Sequence, residues 1–171
     1  MDRKAITITL GLLFGLFSSH AALSDDLKAP TGKPILVLSG HIKNHNKGDT
    51  AVFDLQMLEE IDGREAIIRT PWTPANSKFS GPFLRKVLEA VGAQGKSLRF
   101  SALNGYEVVI PFSDATDLDV ILATRMNEKV LSVREHGPVF LVYPFDQKEM
   151  LYNEKYFARS IWQIASVVVE D

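Results

Sequence analysis

The hydrophobic residues of this chain fall mainly in short runs separated by polar and turn-forming residues, a pattern typical of strands rather than of long helices. The clearest run, Ile35-Leu36-Val37-Leu38, lies inside the predicted strand 34–40. Asn104-Gly105 joins two other runs and is typical of a tight β-hairpin turn. The pattern predicts a short extended piece at 51–53 and strands at 34–40, 65–70, 98–103, 106–112, 117–126, 129–133, 138–143 and 161–169.

Helical signals are fewer. Asp54 can accept hydrogen bonds from the free amide groups of a first turn, which predicts a helix over 55–61. A second apolar face at helical spacing runs from Phe83 to Val91. Gly81 is predicted to cap this second helix, with Pro82 at its first position.

The remaining segments are predicted to be irregular. Residues 71–80 hold two prolines, one asparagine and two serines around Trp72, which is typical of a loop. Residues 152–160 are predicted to be irregular or partly helical. Strands outnumber helices, and the two do not alternate one for one. This favours an α+β fold over a doubly wound α/β sheet.

The N-terminal residues have the pattern of an export signal. Arg3 and Lys4 precede an apolar run at 5–17, and Ser19-His20-Ala21 places small residues three and one positions before a cleavage site. The alternative is an uncleaved anchor, but the run is shorter than the roughly 20 residues that span a membrane. We therefore predict a signal peptide at 1–21, a flexible lead-in at 22–33 and a single domain at 34–171.

Composition narrows the classes of function. The 171-residue chain has a net charge of -2, and loss of Asp2, Arg3 and Lys4 with the signal would make it -3. No basic stripe is present, so nucleic acid is not a predicted partner. The chain has no cysteine, which excludes disulfides, thiolate catalysis and cysteine-ligated zinc or iron–sulfur sites. His41 and His45 lie in a polar segment without a third ligand nearby, and we predict no metal site there.

Four segments of the second half carry a family resemblance. They are Phe79-Ser-Gly-Pro-Phe-Leu84, Asn104-Gly105-Tyr106, His136-Gly-Pro-Val-Phe-Leu-Val-Tyr-Pro144 and Trp162-Gln163-Ile164. In this order and at these spacings they resemble the molybdopterin-binding domain of the sulfite oxidase family, over roughly 52–169. The resemblance implies a mixed α+β domain with several sheets, few helices and a pocket for a pterin.

The residue that this pocket should surround is missing. The family holds molybdenum through one cysteine just after the strand that precedes the Gly-x-x-Leu segment. Here that stretch reads Ile68-Arg69-Thr70-Pro71-Trp72, so Thr70 or a neighbour takes the position. A threonine hydroxyl is a poor ligand for a soft metal and cannot replace a thiolate. The resemblance therefore implies a pterin cofactor, either a reduced pterin or a molybdopterin-like one, without a metal.

The resemblance also implies which residues bind the pterin ring. Trp72, with Thr70 beside it, is the candidate for stacking, and the alternative is a packing role for this tryptophan. Asn104 and Tyr106 correspond to a pocket segment of the family. The alternatives are an asparagine that only serves the turn and a half-buried strand tyrosine.

Basic side chains are the candidates for the phosphate or polar tail of such a cofactor. Family members use basic side chains near the positions of Arg125, Arg134 and Arg159, so the resemblance implies this role for them, and a guanidinium suits such a fork-like contact. Each also fits a solvated surface arginine. Tyr143 ends a strand and faces either the pocket or a packed edge. Trp162, in an apolar run, is predicted to lie in the core.

Three functions follow from these predictions. The first, which the resemblance implies, is an exported, periplasmic pterin-binding protein without molybdenum. Some short, cysteine-lacking relatives of this kind bind reduced pterins in the periplasm and act on membrane-bound enzymes of cyclic dinucleotide (cyclic di-GMP) signalling. The second is a molybdopterin-dependent oxidoreductase, or its subunit, with an unusual ligand. Such enzymes normally carry a twin-arginine signal, and here only Arg3-Lys4 is present. The third is a scaffold protein that has kept the fold and lost the ligand.

Overall fold

A computed structural model describes residues 27–74 and 76–171. The predicted signal peptide at 1–21 and the first part of the lead-in, 22–26, lie outside the described residues. Residues 27–33 contain neither helix nor strand. Within the described ranges, no helix has the length and apolar character needed to cross a membrane.

The described chain forms strands and a smaller number of short helices. The strands are β1 (Pro34–Gly40), β2 (Ala51–Asp54), β3 (Gly63–Ile68), β4 (Ser77–Pro82), β5 (Ser97–Ala102), β6 (Glu107–Pro111), β7 (Ile121–Ala123), β8 (Arg125–Met126), β9 (Lys129–Val130), β10 (Phe140–Val142) and β11 (Ile164–Glu170). The helices are α1 (Leu55–Glu60), α2 (Leu84–Ala90), α3 (Phe112–Asp117) and α4 (Glu154–Arg159), with 3-10 turns at Val133–Glu135 and Glu149–Leu151. The predicted α+β class is confirmed.

A five-stranded sheet in the order β2-β1-β11-β5-β6 forms the largest layer. Its first and last strands in the sequence, β1 and β11, pair in parallel with Val37 opposite Ser166. The other neighbours are antiparallel. A four-stranded sheet, β3-β4-β8-β9, and the pair β10-β7 complete the fold. Buried residues of all three sheets, such as Leu36, Phe79 and Phe140, belong to one core cluster.

Gly81 and Pro82 do not begin a helix, so that prediction was wrong. They are the last two residues of β4, and α2 begins at Leu84 after its N-cap Phe83. A Cβ atom on Gly81 would collide with the carbonyl oxygen of Leu122 in β7. Glycine at this position thus permits the close approach of two strands. Because β4 begins at Ser77, the loop predicted at 71–80 is also shorter than expected.

Several strands were predicted too long, including the one expected at 138–143, of which only β10 is extended. The segment 117–126 begins with the last residue of α3 and forms two separate strands, β7 and β8. The strand expected at 129–133 is reduced to β9, because a 3-10 turn follows. The last strand begins at Ile164 rather than at 161, since Gln163 has a φ of 55° and interrupts the extended backbone.

The predicted N-cap at Asp54 is confirmed, and it has a second role. Its carboxylate accepts a hydrogen bond from the Met57 amide in α1 at 2.9 Å. It also accepts from the amides of Gly32 at 2.7 Å and Thr31 at 2.9 Å. These backbone hydrogen bonds, with that of Met57 the largest effect, lower the pKa of the Asp54 carboxyl. Asp54 therefore joins the segment before β1 to the start of α1. Its side chain is buried, with only 2% of the residue exposed.

Replacing Asp54 by alanine is expected to reduce the free energy of unfolding by about 2 kcal/mol at neutral pH, since the buried amides lose their acceptor. The folded-state pKa is lowered, so this stabilisation is present above the ordinary aspartate pKa of about 3.9 and is lost as the pH falls through the folded-state value. Urea denaturation of Asp54→Ala and of the exposed control Asp62→Ala at several pH values measures both effects. An equal cost for the two variants would contradict the proposed role.

Candidate functional site

A pocket of about 460 Å³ opens beside the β5–β6 hairpin and helix α4. Its walls are mainly aromatic and aliphatic, with a few polar side chains among them. The lining residues are Trp72, Ala102, Asn104, Tyr106, Glu154, Phe157, Ala158, Ser160, Ile161 and Trp162. Predominantly apolar walls with a small number of polar groups are typical of small-molecule sites.

Trp72 connects this pocket to the core. Its indole is half-buried and lies edge-on to Phe140 and Phe157, with ring centroids 6.1 Å and 5.8 Å away. The ring of Trp162 is tilted against it, with the centroids 5.6 Å apart. These neighbours fix the orientation of the indole while it lines the pocket. Both roles considered for Trp72, packing and lining a pocket, are thus combined in one side chain.

Thr70 shapes the loop that carries Trp72. Its hydroxyl is 2.7 Å from the hydroxyl of Thr73 and accepts a hydrogen bond from the Thr73 amide at 3.2 Å. The residue is buried and does not belong to the pocket lining. Its hydroxyl therefore closes a local turn immediately before the indole.

The hairpin contributes the opposite rim. Asn104 Oδ1 accepts a hydrogen bond from the Tyr106 amide at 3.0 Å, and Gly105 between them has a φ of 82°. This confirms the predicted turn and explains the glycine, because a side chain is disfavoured at such a φ. Both Asn104 and Tyr106 also line the pocket, and 53% of Tyr106 is exposed.

Helix α4 forms a third wall and presents two different faces. Glu154, Phe157 and Ala158 have helical i, i+3, i+4 spacing and line the pocket. Arg159 points away from it, and its guanidinium donates to the carboxylate of Asp114 at 2.7 Å. The hydroxyl of Tyr143 donates to the same carboxylate oxygen at 2.7 Å. A buried charge cluster thus anchors the helix to the core.

The cluster explains why Tyr143 and Arg159 do not line the pocket. Tyr143 is fully buried, and burial, followed by the hydrogen bond to Asp114, raises the pKa of Tyr143 above its usual value. The phenol therefore stays protonated and donates its hydrogen. Asp114, which is 7% exposed, is the shared acceptor, so the Arg159 guanidinium is already paired.

Arg125 and Arg134 also lie outside the aromatic pocket. Arg125 forms a two-point ion pair with Glu59, at 2.6 Å and 3.1 Å, beside a second depression of about 350 Å³. Arg134 is exposed in the 3-10 turn. Of the eight residues predicted to bind the cofactor, the structure brings together Trp72, Asn104 and Tyr106.

Comparison with known families identifies the domain. Residues 54–147 match the oxidoreductase molybdopterin binding domain family. The chain belongs to this family. No match was found among curated proteins. The sulfite oxidase-like resemblance inferred from the sequence motifs is thereby confirmed.

The residues of this molybdopterin-binding domain fit a pterin ring better than they fit molybdenum. Trp72, Trp162 and Phe157 offer aromatic faces to a flat heterocycle. The chain has no cysteine, and the hydroxyl of Thr70 is buried in its contact with Thr73. In the described ranges, no three histidine, aspartate or glutamate side chains are grouped to hold a metal ion. The donor set therefore contains no thiolate, the soft ligand through which the sulfite oxidase family holds molybdenum.

Several pocket residues were not found from the sequence. Trp162 was assigned to the core and does pack against it, but it also lines the pocket, because the turn at Gln163 places it before β11. Phe157 and Glu154 lie in a helix of only six residues, too short for a clear periodic signal. The family match ends at residue 147, so neither α4 nor Trp162 falls inside it.

The Asp114 cluster is expected to contribute strongly to stability. Asp114→Asn leaves the largely buried guanidinium of Arg159 without its counter-charge, which should lower the free energy of unfolding by about 3 kcal/mol. The matched control is Asp119→Asn, which disrupts the more exposed pair with Arg85 and should cost less than about 1 kcal/mol. Urea denaturation measures both values. Equal costs would contradict the anchoring role.

Proposed function

We propose that this protein is an exported pterin-binding sensor that carries out no molybdenum chemistry. The observation that carries the proposal is the open aromatic pocket around Trp72 in a molybdopterin-binding domain that has no cysteine. A pterin is a flat, bicyclic ring with hydrogen-bonding groups along its edges. Such a ligand needs an aromatic face and a few polar partners at its rim.

The dimensions and lining of the pocket support this ligand. Its volume of about 460 Å³ lies within the usual range for small-molecule sites. Trp72 and Trp162 supply ring faces, and Asn104, Glu154 and Ser160 supply polar groups. Trp72 is held by its aromatic neighbours before any ligand arrives, which reduces the entropic cost of ordering it.

The choice between a free pterin and a metal cofactor depends on the donor chemistry. Thr70 occupies the stretch in which the family has its cysteine, and its hydroxyl is engaged inside the protein. A site that has lost the thiolate but kept the aromatic faces is suited to binding a ring reversibly. This favours a sensor over an oxidoreductase.

We base the proposed export and the proposed signalling partner on the sequence. The residues 1–21 have the pattern of a cleavable signal. The resemblance to some short, cysteine-lacking relatives that act on membrane-bound enzymes of cyclic dinucleotide turnover suggests the partner. The β5–β6 hairpin could transmit to such a partner whether the pocket holds a ligand. Tyr106 lines the pocket, and Leu103 beside it is 55% exposed, so a surface that touches the hairpin would respond to a bound ligand.

Removing the Trp72 ring is expected to weaken pterin binding by about tenfold to a hundredfold, because stacking on an aromatic side chain contributes roughly 1–3 kcal/mol. Calorimetric titration of the mature protein with tetrahydropterin and with oxidised pterin measures the effect in Trp72→Ala. Trp72→Phe is the matched control, since it keeps an aromatic face and should retain most of the affinity.

Two results would count against the proposal. Absence of saturable binding by folded wild-type protein to either pterin would leave the scaffold alternative. Molybdenum in stoichiometric amount in native protein, measured by elemental analysis, would favour the molybdopterin-dependent oxidoreductase instead.

A further inference from the structure

The described lining of the aromatic pocket carries negative but no positive charge. Among the described residues that line it, Glu154 is the one acidic side chain, and neither lysine nor arginine is present. The other polar groups, from Asn104, Tyr106 and Ser160, carry no formal charge. A pocket of this composition does not provide the cations that hold a phosphate group.

The arginines predicted to bind a phosphate tail either form ion pairs within the protein or lie outside the pocket. Arg125 is paired with Glu59, and Arg159 is paired with Asp114. Arg134 lies in an exposed turn and does not line the pocket. A phosphate ester, with a charge of roughly -1.5 to -2 at neutral pH, would therefore enter a pocket whose described lining carries one negative charge and no cation.

Glu154 is placed to contact the edge of a stacked ring. It is the first residue of α4 and lies one helical turn before Phe157, whose ring centroid is 5.8 Å from that of Trp72. Side chains at i and i+3 of a helix are about 5–6 Å apart at their Cβ atoms. Among the described residues, Glu154 has no hydrogen-bond or ion-pair partner for its carboxylate, so both oxygens are available to a ligand.

The chemistry of the ligand's edge matches a carboxylate. A 2-amino-4-oxo pteridine presents two adjacent donors, the amino group at C2 and the N–H at N3. An ionised carboxylate is an acceptor with two oxygens and can take both hydrogen bonds at once, as it does from a guanidinium. A 2,4-dioxo pteridine lacks the amino donor and presents a carbonyl oxygen there, which a carboxylate repels.

We propose that Glu154 binds the amino-pyrimidine edge of an unphosphorylated 2-amino-4-oxo pteridine, and that this pocket discriminates against phosphorylated pterins, molybdopterin included. The proposal rests on the proposed pterin-binding function and specifies its ligand. The stacking residues supply affinity for a flat ring and Glu154 determines which ring edge is accepted, while the lack of a cation in the described lining disfavours a phosphate.

The test compares ligands that differ by one group. Wild-type protein, Glu154→Gln and the control Glu149→Gln are titrated by calorimetry with pterin, with lumazine, with 6-hydroxymethylpterin and with its phosphate ester. Pterin and lumazine differ at C2 alone, and the last two differ by the phosphate. Glu149 is an exposed glutamate in the neighbouring 3-10 turn that does not line the pocket, so the control makes the same charge change outside the site.

Wild-type protein should prefer pterin over lumazine, and the free alcohol over its phosphate ester, by about tenfold or more. Glu154→Gln should lose about tenfold to a hundredfold in affinity for pterin, the range for hydrogen bonds to a charged group. Its lumazine binding should be maintained, because an amide can both donate and accept, and this also shows that the variant is folded. Glu149→Gln should behave as wild type.

The outcomes separate this proposal from the proposed function. Equal binding of pterin and lumazine by wild type, unchanged in Glu154→Gln, would overturn the role of Glu154 and leave pterin binding intact. Tighter binding of the phosphate ester than of the free alcohol would overturn the charge selectivity. Failure of wild-type protein to bind any of the four compounds would overturn both proposals.

Discussion

The parallel pairing of the first and last strands organises the whole domain. β11 lies between β1 and β5 in the five-stranded sheet, so it connects the start of the domain to the hairpin that forms one rim of the pocket. The segment just before β11 carries Trp162 and the segment before that carries α4. Both walls of the pocket that lie beyond residue 147 are thus held in place by a strand that pairs with residues far away in the sequence.

A second constraint lies under helix α4. The helix is only six residues long and would not be stable by itself. Asp114 accepts hydrogen bonds from Arg159 of the helix and from Tyr143 near the end of β10, so one buried carboxylate joins three parts of the chain. Because a buried charge is costly to leave unpaired, the arrangement favours a single position for the helix and for the pocket wall that it presents.

Local signals identified the parts of the structure that depend on local chemistry. The Asp54 cap, the Asn104-Gly105 turn and strand β1 involve neighbouring residues, and each was predicted from the sequence. The errors occurred where distant contacts decide the outcome. Gly81 looked like a helix cap because the approach of Leu122 is invisible in the sequence. Trp162 packs against the core as predicted, but its place in the pocket wall was missed because nothing local marks the turn at Gln163.

The candidate site shows the same division. Trp72, Asn104 and Tyr106 were found because they belong to recognisable segments, and they do meet at one pocket. Arg125 and Arg159 were assigned to a ligand from the family resemblance. An arginine in a sequence carries no sign of its partner, and the partners found in the structure, Glu59 and Asp114, lie 66 and 45 residues away. Pairing between distant charges is a property of the fold and was beyond the reach of sequence motifs.

The loss of the metal ligand changes what such a domain can do with a pterin. A thiolate bond to a metal holds a cofactor permanently, which suits an enzyme that must not lose it. Stacking and a few edge hydrogen bonds, each of roughly 1–3 kcal/mol, must offset the cost of immobilising the ligand, so they lead to a reversible complex. Reversibility is what a sensor requires, since its occupancy has to follow the ligand concentration. An aromatic pocket in a protein without the cysteine is therefore suited to a ligand that exchanges.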